Sequence, residues 1–221
     1  MSYFRPTWPW GVYRPQGDSH LLREALTKAT VPSGARVLDV CTGTGLIAVT
    51  AARLGASRVW AVDTSYPAVL TARCNARLRR LPIRVEHGDF RACAVGRRFD
   101  VVTANPPYVP CPDGGAAGTG RARAWNGGPD GRLYVDRLCT MAPRLLSVGG
   151  TMLLVHSALC GPDLTLHMLG EAGLKASVVA RRRQPFGPVL SARAAWLEAQ
   201  GLIAPGQREE ELVVVRADQP G

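Results

Sequence analysis

The sequence predicts an α/β fold: a doubly wound, mostly parallel seven-stranded sheet with helices on both faces. Three observations carry the prediction. Short, apolar, β-branched runs alternate with stretches of helical periodicity along most of the 221 residues. Several runs end in glycine or proline turns bearing polar residues, as strand ends beside a ligand crevice do. Hydrophobic residues make up 46% and charged residues 20%, enough apolar surface to cover both faces of a sheet. At this length, 1–221 reads as one domain.

Residues 1–14 are aromatic and proline-rich (Tyr3, Phe4, Trp8, Trp10, Tyr13) and read as an arm packed on the sheet. A first helix follows, with Asp18 or Ser19 as its cap and Leu21, Leu22, Ala25 and Leu26 as its apolar face. The first strand, Val37 to Val40, runs into Cys41-Thr42-Gly43-Thr44-Gly45 and a helix stopped by Gly55. Strand, glycine turn and helix bring a ligand against bare backbone at a helix N-terminus. The second strand, Arg58 to Val62, ends in Asp63-Thr64. Asp63 lies 24 residues after Asp39, where nucleotide folds place a ribose-binding carboxylate. Helix Pro67 to Arg80 carries the stripe Val69, Ala72, Ala76 and Leu78, and strand Ile83 to Glu86 leads to His87-Gly88-Asp89-Phe90.

The fourth strand ends in the most informative stretch, Phe99 to Tyr108, FDVVTANPPY. Neither proline can donate to a sheet ladder, and Pro106 keeps Asn105 out of the α region. A stiff corner therefore projects a carboxamide and an aromatic ring from the strand end. The Asn105 side-chain oxygen and the Pro106 carbonyl are two rigid acceptors, suited to a planar –NH2, either a carboxamide or an exocyclic base amine. Gripping both N–H bonds favours pyramidalisation and aims the nitrogen lone pair, which is catalysis by positioning rather than by a strong base. Tyr108 would stack on the flat group.

Val109 to Pro129 is too rich in Gly and Pro, and too long, for a simple connection. Its end, AWNGGPDG (Ala124 to Gly131), opens helix Leu133 to Leu146. Strand Thr151 to His156, helix Asp163 to Ala172 and strand Ala176 to Ala180 continue the alternation. Residues 185–208 interrupt it with an amphipathic helix, Val189 to Gln200, read as a cover on the sheet edge in preference to a partner-docking helix. Strand Leu212 to Arg216 closes the chain.

Composition narrows the function classes. The sequence has no 18-residue apolar run and no secretory h-region, so a soluble cytoplasmic protein is expected, with no membrane partner. Six scattered cysteines without a CxxC pair read as reduced thiols, and no metal site is indicated. The net charge of +10 comes almost wholly from arginine in short clusters, including Arg181 to Arg183. Two readings stand: contact with RNA, a ribosome or an RNA-bound protein, or a compositional preference for arginine.

With DVCTGTG, Asp63 and NPPY on one sheet edge, the chain resembles the class I, Rossmann-like S-adenosylmethionine-dependent methyltransferases. Within them it is similar to the HemK/PrmC branch, the protein-glutamine N5-methyltransferases that modify peptide release factors. Pro15-Gln16-Gly17-Asp18 and AWNGGPDG bring it closer to that branch than NPPY alone. The resemblance implies S-adenosylmethionine as cofactor. Gly43 and Gly45 would admit its methionine part beside Cys41 and Thr42, with Asp39 supporting the loop or the cofactor amino group. Asp63, next to Thr64, would accept from the ribose hydroxyls, and Asp89 and Phe90 would hold adenine. Asn105 would touch both cofactor and acceptor. Asn105, Pro106, Pro107 and Tyr108 would hold the glutamine amide, and Trp125 and Gly128 the loop that carries it; packing is the other reading of Trp125.

The sequence departs from the branch at Cys41, where a glycine is usual, and carries residues 185–208 as an addition. It looks like the short single-domain form, which works with a small zinc-binding activator subunit, so a release factor and an activator are the implied partners. Two other readings remain at this level: an N6-adenine or guanine-N2 methyltransferase acting on RNA or DNA, and a catalytically silent binding partner.

Overall fold

Strand-forming runs of Val, Leu and Ile set the frame. A computed structural model describes residues 12–29, 31–112 and 120–221, with the backbone alone at 120 and 121. The aromatic residues Tyr3, Phe4, Trp8 and Trp10 of the expected arm lie outside the described residues.

The order is α1 (Gly17–Lys28), β1 (Arg36–Val40), α2 (Leu46–Arg53), β2 (Arg58–Asp63), α3 (Tyr66–Leu78), β3 (Ile83–His87), α4 (Phe90–Cys93), β4 (Phe99–Ala104), α5 (Leu133–Leu145), β5 (Leu146–Ser157), α6 (Pro162–Glu171), β6 (Lys175–Pro185), α7 (Pro188–Ala199) and β7 (Glu209–Asp218). The seven strands lie in the order β3-β2-β1-β4-β5-β7-β6. The first five are parallel, and β7 runs antiparallel to both β5 and β6. Alternation along β1 shows how both faces are covered. Val37 joins one buried cluster with residues of α1, α2 and α3, and Leu38 and Val40 join the other with residues of α5 and α6.

Two local expectations are corrected. Helix α1 starts at Gly17, and neither Asp18 nor Ser19 caps it; Gln16 holds the capping position without a side-chain bond. Asp18 is instead 3% exposed and turned into the protein. Strand β6 runs on past Ala180 to Pro185, which places Arg181 to Arg183 within an edge strand. Arg181 pairs with Glu211 at 2.6 Å and Arg182 with Glu24 at 2.8 Å, so this cluster is partly neutralised by the chain's own acids. All six cysteines are unpaired. Among the described residues, no helix is long and apolar enough to cross a membrane.

The interior strand β5 carries a histidine without solvent contact. His156 is 0% exposed, its Nδ1 lies 2.8 Å from the Ser157 carbonyl, and its Nε2 has no partner among the described residues. Burial pushes its pKa from 6.5 down to about 4. The unfolded chain therefore takes up a proton between these values that the folded chain refuses. Stability is full above pH 6.5 and falls as pH drops through the window, by on the order of 3 kcal/mol. Replacing His156 with Met removes this pH dependence. Denaturant unfolding at pH 7 and pH 4 should show the parent losing about that much more than the variant. Parallel curves for the two proteins would reject it.

Candidate active site

The chain leaves β1 for β2 on one side, and later returns to lay β4 on the other. The loops after β1 and β4 diverge there, which opens a crevice at the carboxyl end of the sheet. Asp39 and Thr103 are register partners at this point. Thr103 Oγ1 donates to Asp39 Oδ1 at 2.8 Å, Thr42 Oγ1 to Oδ2 at 2.6 Å, and the Ala48 N–H to Oδ2 at 3.2 Å. Burial raises the Asp39 pKa to about 6 against the pull of those donors. Its carboxylate joins β1, β4, the glycine turn and α2, and Asp39 also lines the crevice.

The crevice beside it is a cavity of about 650 Å³ lined by Cys41, Thr42, Gly43, Asp63, Thr64, Asp89, Phe90 and Asn105, with other residues. Gly43 has φ +53° and open space where a Cβ would stand, so it presents bare backbone to the cavity. Gly45 does not line it. At φ +81°, a Cβ there would lie 3.2 Å from that of Ala72, so this glycine lets α2 pack on α3. Cys41, where the branch has glycine, takes φ +57°, the conformation glycine adopts freely.

Asp63 Oδ2 accepts from the Gly43 N–H and Oδ1 from the Ser65 N–H, each at 2.9 Å. Both oxygens keep further acceptor capacity, and burial pushes the pKa up. Asp89 caps α4 and is held by Arg91 at 2.7 Å, whose hydrogen bond lowers its pKa. Phe90 is 8% exposed and forms part of the floor. Thr64 is exposed at the mouth, its carbonyl 3.1 Å from His87 Nε2. Tyr66, His87, Tyr134 and Arg137 also line the cavity. Sequence reasoning missed them, because each reads as an ordinary surface residue of a helix start or strand end.

A second cavity, of about 320 Å³, meets the first at Asn105 and Pro107. Pro106, Tyr108 and Trp125 line it, as do Asp18, Gln184 and Glu210. Its far wall is Gly187, Pro188, Val189 and Leu190. Helix α7 therefore stands over this cavity. Its Leu190, Ala194 and Leu197 pack with Phe186 and Ile203 in a small cluster of their own, against Val109 and Leu159. That corrects the expectation of an edge cover, since α7 lies beyond the end of β4. Arg193 Nη1 donates to the Pro110 carbonyl at 2.8 Å and Nη2 to Asn126 Oδ1 at 2.6 Å, tying α7 to the segments after β4.

Those segments fold back on one another. The Val109 N–H donates to the Trp125 carbonyl at 2.8 Å, Gly127 to Val109 at 2.9 Å and Cys111 to Gly128 at 2.8 Å. Gly127 and Gly131 are required by the backbone of Tyr108, which a Cβ at either would strike. Gly128 lines neither cavity, and a Cβ there would crowd Leu133. The glycines of AWNGGPDG thus serve the chain's own packing. Arg132, 4% exposed, links that turn to the start of α6 through the Cys160 and Gly161 carbonyls and Thr165 Oγ1.

At the junction, Asn105 Nδ2 lies 3.2 Å from Ser19 Oγ. Ser19 Oγ itself donates to Asp18 Oδ1 at 3.1 Å. With its one proton committed, the hydroxyl can only accept from Asn105, so the amide nitrogen faces Ser19 and the oxygen is left for the cavities. Neither Asn105 Oδ1 nor the Pro106 carbonyl accepts a bond from the described residues. Among the described residues, Asn105 Oδ1 is thus an unpaired acceptor where the cavities meet, and the Pro106 carbonyl is a second on a residue that lines the smaller cavity. Among the described residues no cluster of His, Cys, Asp and Glu could hold a metal ion.

Residues 14–113, which hold β1 to β4, match the methyltransferase small domain. Over 175 residues the chain is 34% identical to a Methanocaldococcus jannaschii protein named as a protein N5-glutamine methyltransferase, covering 79% of this chain and 87% of that one. The chain belongs to the HemK/PrmC family of protein N5-glutamine methyltransferases. Like that family, it is an S-adenosylmethionine-dependent N-methyltransferase. A release factor glutamine methyltransferase of Mycolicibacterium smegmatis is 34% identical over 153 residues, 66% of this chain, which spans about half (54%) of that relative. The fold of this HemK/PrmC protein is also that of the E. cuniculi Mtq2–Trm112 complex, which methylates the eRF1 translation termination factor. That match has TM-score 0.62 and 21% identity, covering 95% of this chain and 99% of the other.

Proposed function

We propose that this methyltransferase acts on the side-chain amide of a glutamine in a peptide release factor. The observation that carries the reading is the Asn105 carboxamide, anchored through its nitrogen to Ser19 so that its oxygen faces the junction of two cavities. The larger cavity fits the cofactor, because bare backbone at Gly43 and the carboxylates of Asp63 and Asp89 border it. Asp63 would accept from the ribose hydroxyls, Phe90 and Asp89 would hold the base, and Cys41, Thr42 and Thr64 would complete the wall. Bound S-adenosylmethionine supplies an electrophilic methyl group.

The smaller cavity receives the acceptor. Asn105 Oδ1 and the Pro106 carbonyl accept the two amide N–H bonds and turn the nitrogen lone pair toward the larger cavity. Pro107 holds the corner, and Tyr108 and Trp125 form its walls. Once methylated, the nitrogen is strongly acidic and sheds a proton without a strong base. The names of the relatives support a release factor as the protein that enters here, and the likeness to the Mtq2–Trm112 complex supports a small partner subunit. Exposed arginines would steer that encounter in a salt-dependent way.

The test is transfer of a tritiated methyl group by the purified protein, with and without a small zinc-binding partner. An isolated release factor should be labelled, and the same factor with its loop glutamine changed to alanine should not. Equal labelling of the altered factor, or labelling of RNA alone, would overturn the glutamine reading and favour a base amine.

A further inference from the structure

The corner that would hold the acceptor does not orient itself. Asn105 and Tyr108 share one anchor, Asp18, which lies 90 residues before Tyr108. Asp18 is 3% exposed. Its Oδ2 accepts from the Tyr108 hydroxyl at 3.1 Å and from the Tyr13 hydroxyl at 3.0 Å. Its Oδ1 accepts from the Ser19 backbone N–H and, at 3.1 Å, from the Ser19 hydroxyl. Four donors on two oxygens match an acceptor-only carboxylate.

The residue before Asp18 is itself held from the edge strand β6. Arg182 Nη1 donates to the Gly17 carbonyl at 3.4 Å, and the side chain of Gln184 lies where a Cβ on Gly17 would stand. Gln184 Nε2 in turn donates to Glu210 Oε1 at 3.0 Å. The last two strands thus seat the start of α1 under the corner.

We propose that Asp18 is the positioning residue of the acceptor corner: through Ser19 it sets which end of the Asn105 carboxamide faces the cavities, and through Tyr108 it sets the neighbouring wall. The logic is one of proton direction. Ser19 has one hydroxyl proton, and Asp18 takes it, so Ser19 presents a lone pair to the Asn105 nitrogen. An amide at position 18 can donate in place of accepting. Ser19 would then be free to turn its proton toward Asn105, and the carboxamide could flip to show –NH2 to the acceptor. Two donors would then face two donors, which is repulsive. The side chain at 18 keeps its shape throughout, so the effect is one of polarity rather than packing. This rests on the reading of Asn105 as the acceptor grip.

The decisive variants are Asp18→Asn, Ser19→Ala and Ser19→Thr. In Asp18→Asn, kcat for methyl transfer to a glutamine-bearing release factor should fall about tenfold while the cofactor Kd by calorimetry stays within about twofold. Ser19→Ala should lose kcat similarly, and Ser19→Thr, which keeps the hydroxyl, should restore most of it. A second readout needs no acceptor. The Asn105 side-chain amide, assigned in ¹⁵N spectra by its loss in Asn105→Ala, should exchange slowly in the parent and in Ser19→Thr, and quickly in Asp18→Asn and Ser19→Ala. Slow exchange in all four, or full turnover in Asp18→Asn, overturns the proposal. If the parent labels no glutamine yet the amide signals respond as stated, the positioning network stands and the substrate reading fails. If Asp18→Asn does not fold, Ser19→Ala against Ser19→Thr decides by both readouts.

Discussion

Asn105→Ala should lose methyl transfer by about a hundredfold or more, the scale of a lost transition-state hydrogen bond, with cofactor affinity nearly unchanged. The side chain is 3.2 Å from Ser19 through its nitrogen, and its oxygen accepts nothing from the described residues, so truncation removes an acceptor without opening the core. The corner itself remains, since Pro106 and Pro107 hold the backbone and Tyr108 stays bonded to Asp18. The loss should therefore appear in kcat. Steady-state kinetics beside calorimetry with S-adenosylmethionine separates the two. Retained turnover would move the chemistry to another residue, and a matching loss of cofactor affinity would make Asn105 a cofactor-binding residue rather than the acceptor grip.

Asp63→Ala should weaken S-adenosylmethionine binding by about a hundredfold while the protein stays folded, since two hydrogen bonds to a charged acceptor are worth about 1.5–3 kcal/mol each. A second contribution comes from the chain itself. Asp63 takes the Gly43 and Ser65 N–H groups at 2.9 Å, so alanine leaves both donors unmatched and loosens the turn that presents Gly43. Asp63→Asn keeps the bulk and should recover part of the affinity, limited by its –NH2 facing donors. Calorimetry on the three proteins, with circular dichroism as the check on folding, measures it. Parent-like binding by Asp63→Ala would remove this residue from the cofactor site.

Much of the site was legible before any coordinate. The turn after β1, the acid ending β2, the acid and aromatic after β3 and the corner after β4 each declare themselves within a few residues. Their signals are local: a β-branched run, a glycine needed at positive φ, a proline without an N–H. Asp18 was misread for the same reason. An acid near a helix start looks like a cap, and nothing nearby shows that two tyrosine hydroxyls will reach it. At Gly128 the sequence does not show the neighbour, because a glycine that admits a substrate and a glycine that admits the chain's own Leu133 have the same signature.

The alternation of strands and helices, the stiff Asn-Pro-Pro corner and the kinds of polar group placed at strand ends all follow from local residue order. Tertiary structure alone decided which ends meet, which way the Asn105 amide points, and that α7 walls the second cavity. Backbone restriction and periodicity act within a few residues, so a sequence carries them openly. The direction of an amide depends on the proton of one hydroxyl, which depends on a carboxylate seated by Arg182 and Gln184 from the far end of the chain. Only folding brings those groups within hydrogen-bonding distance.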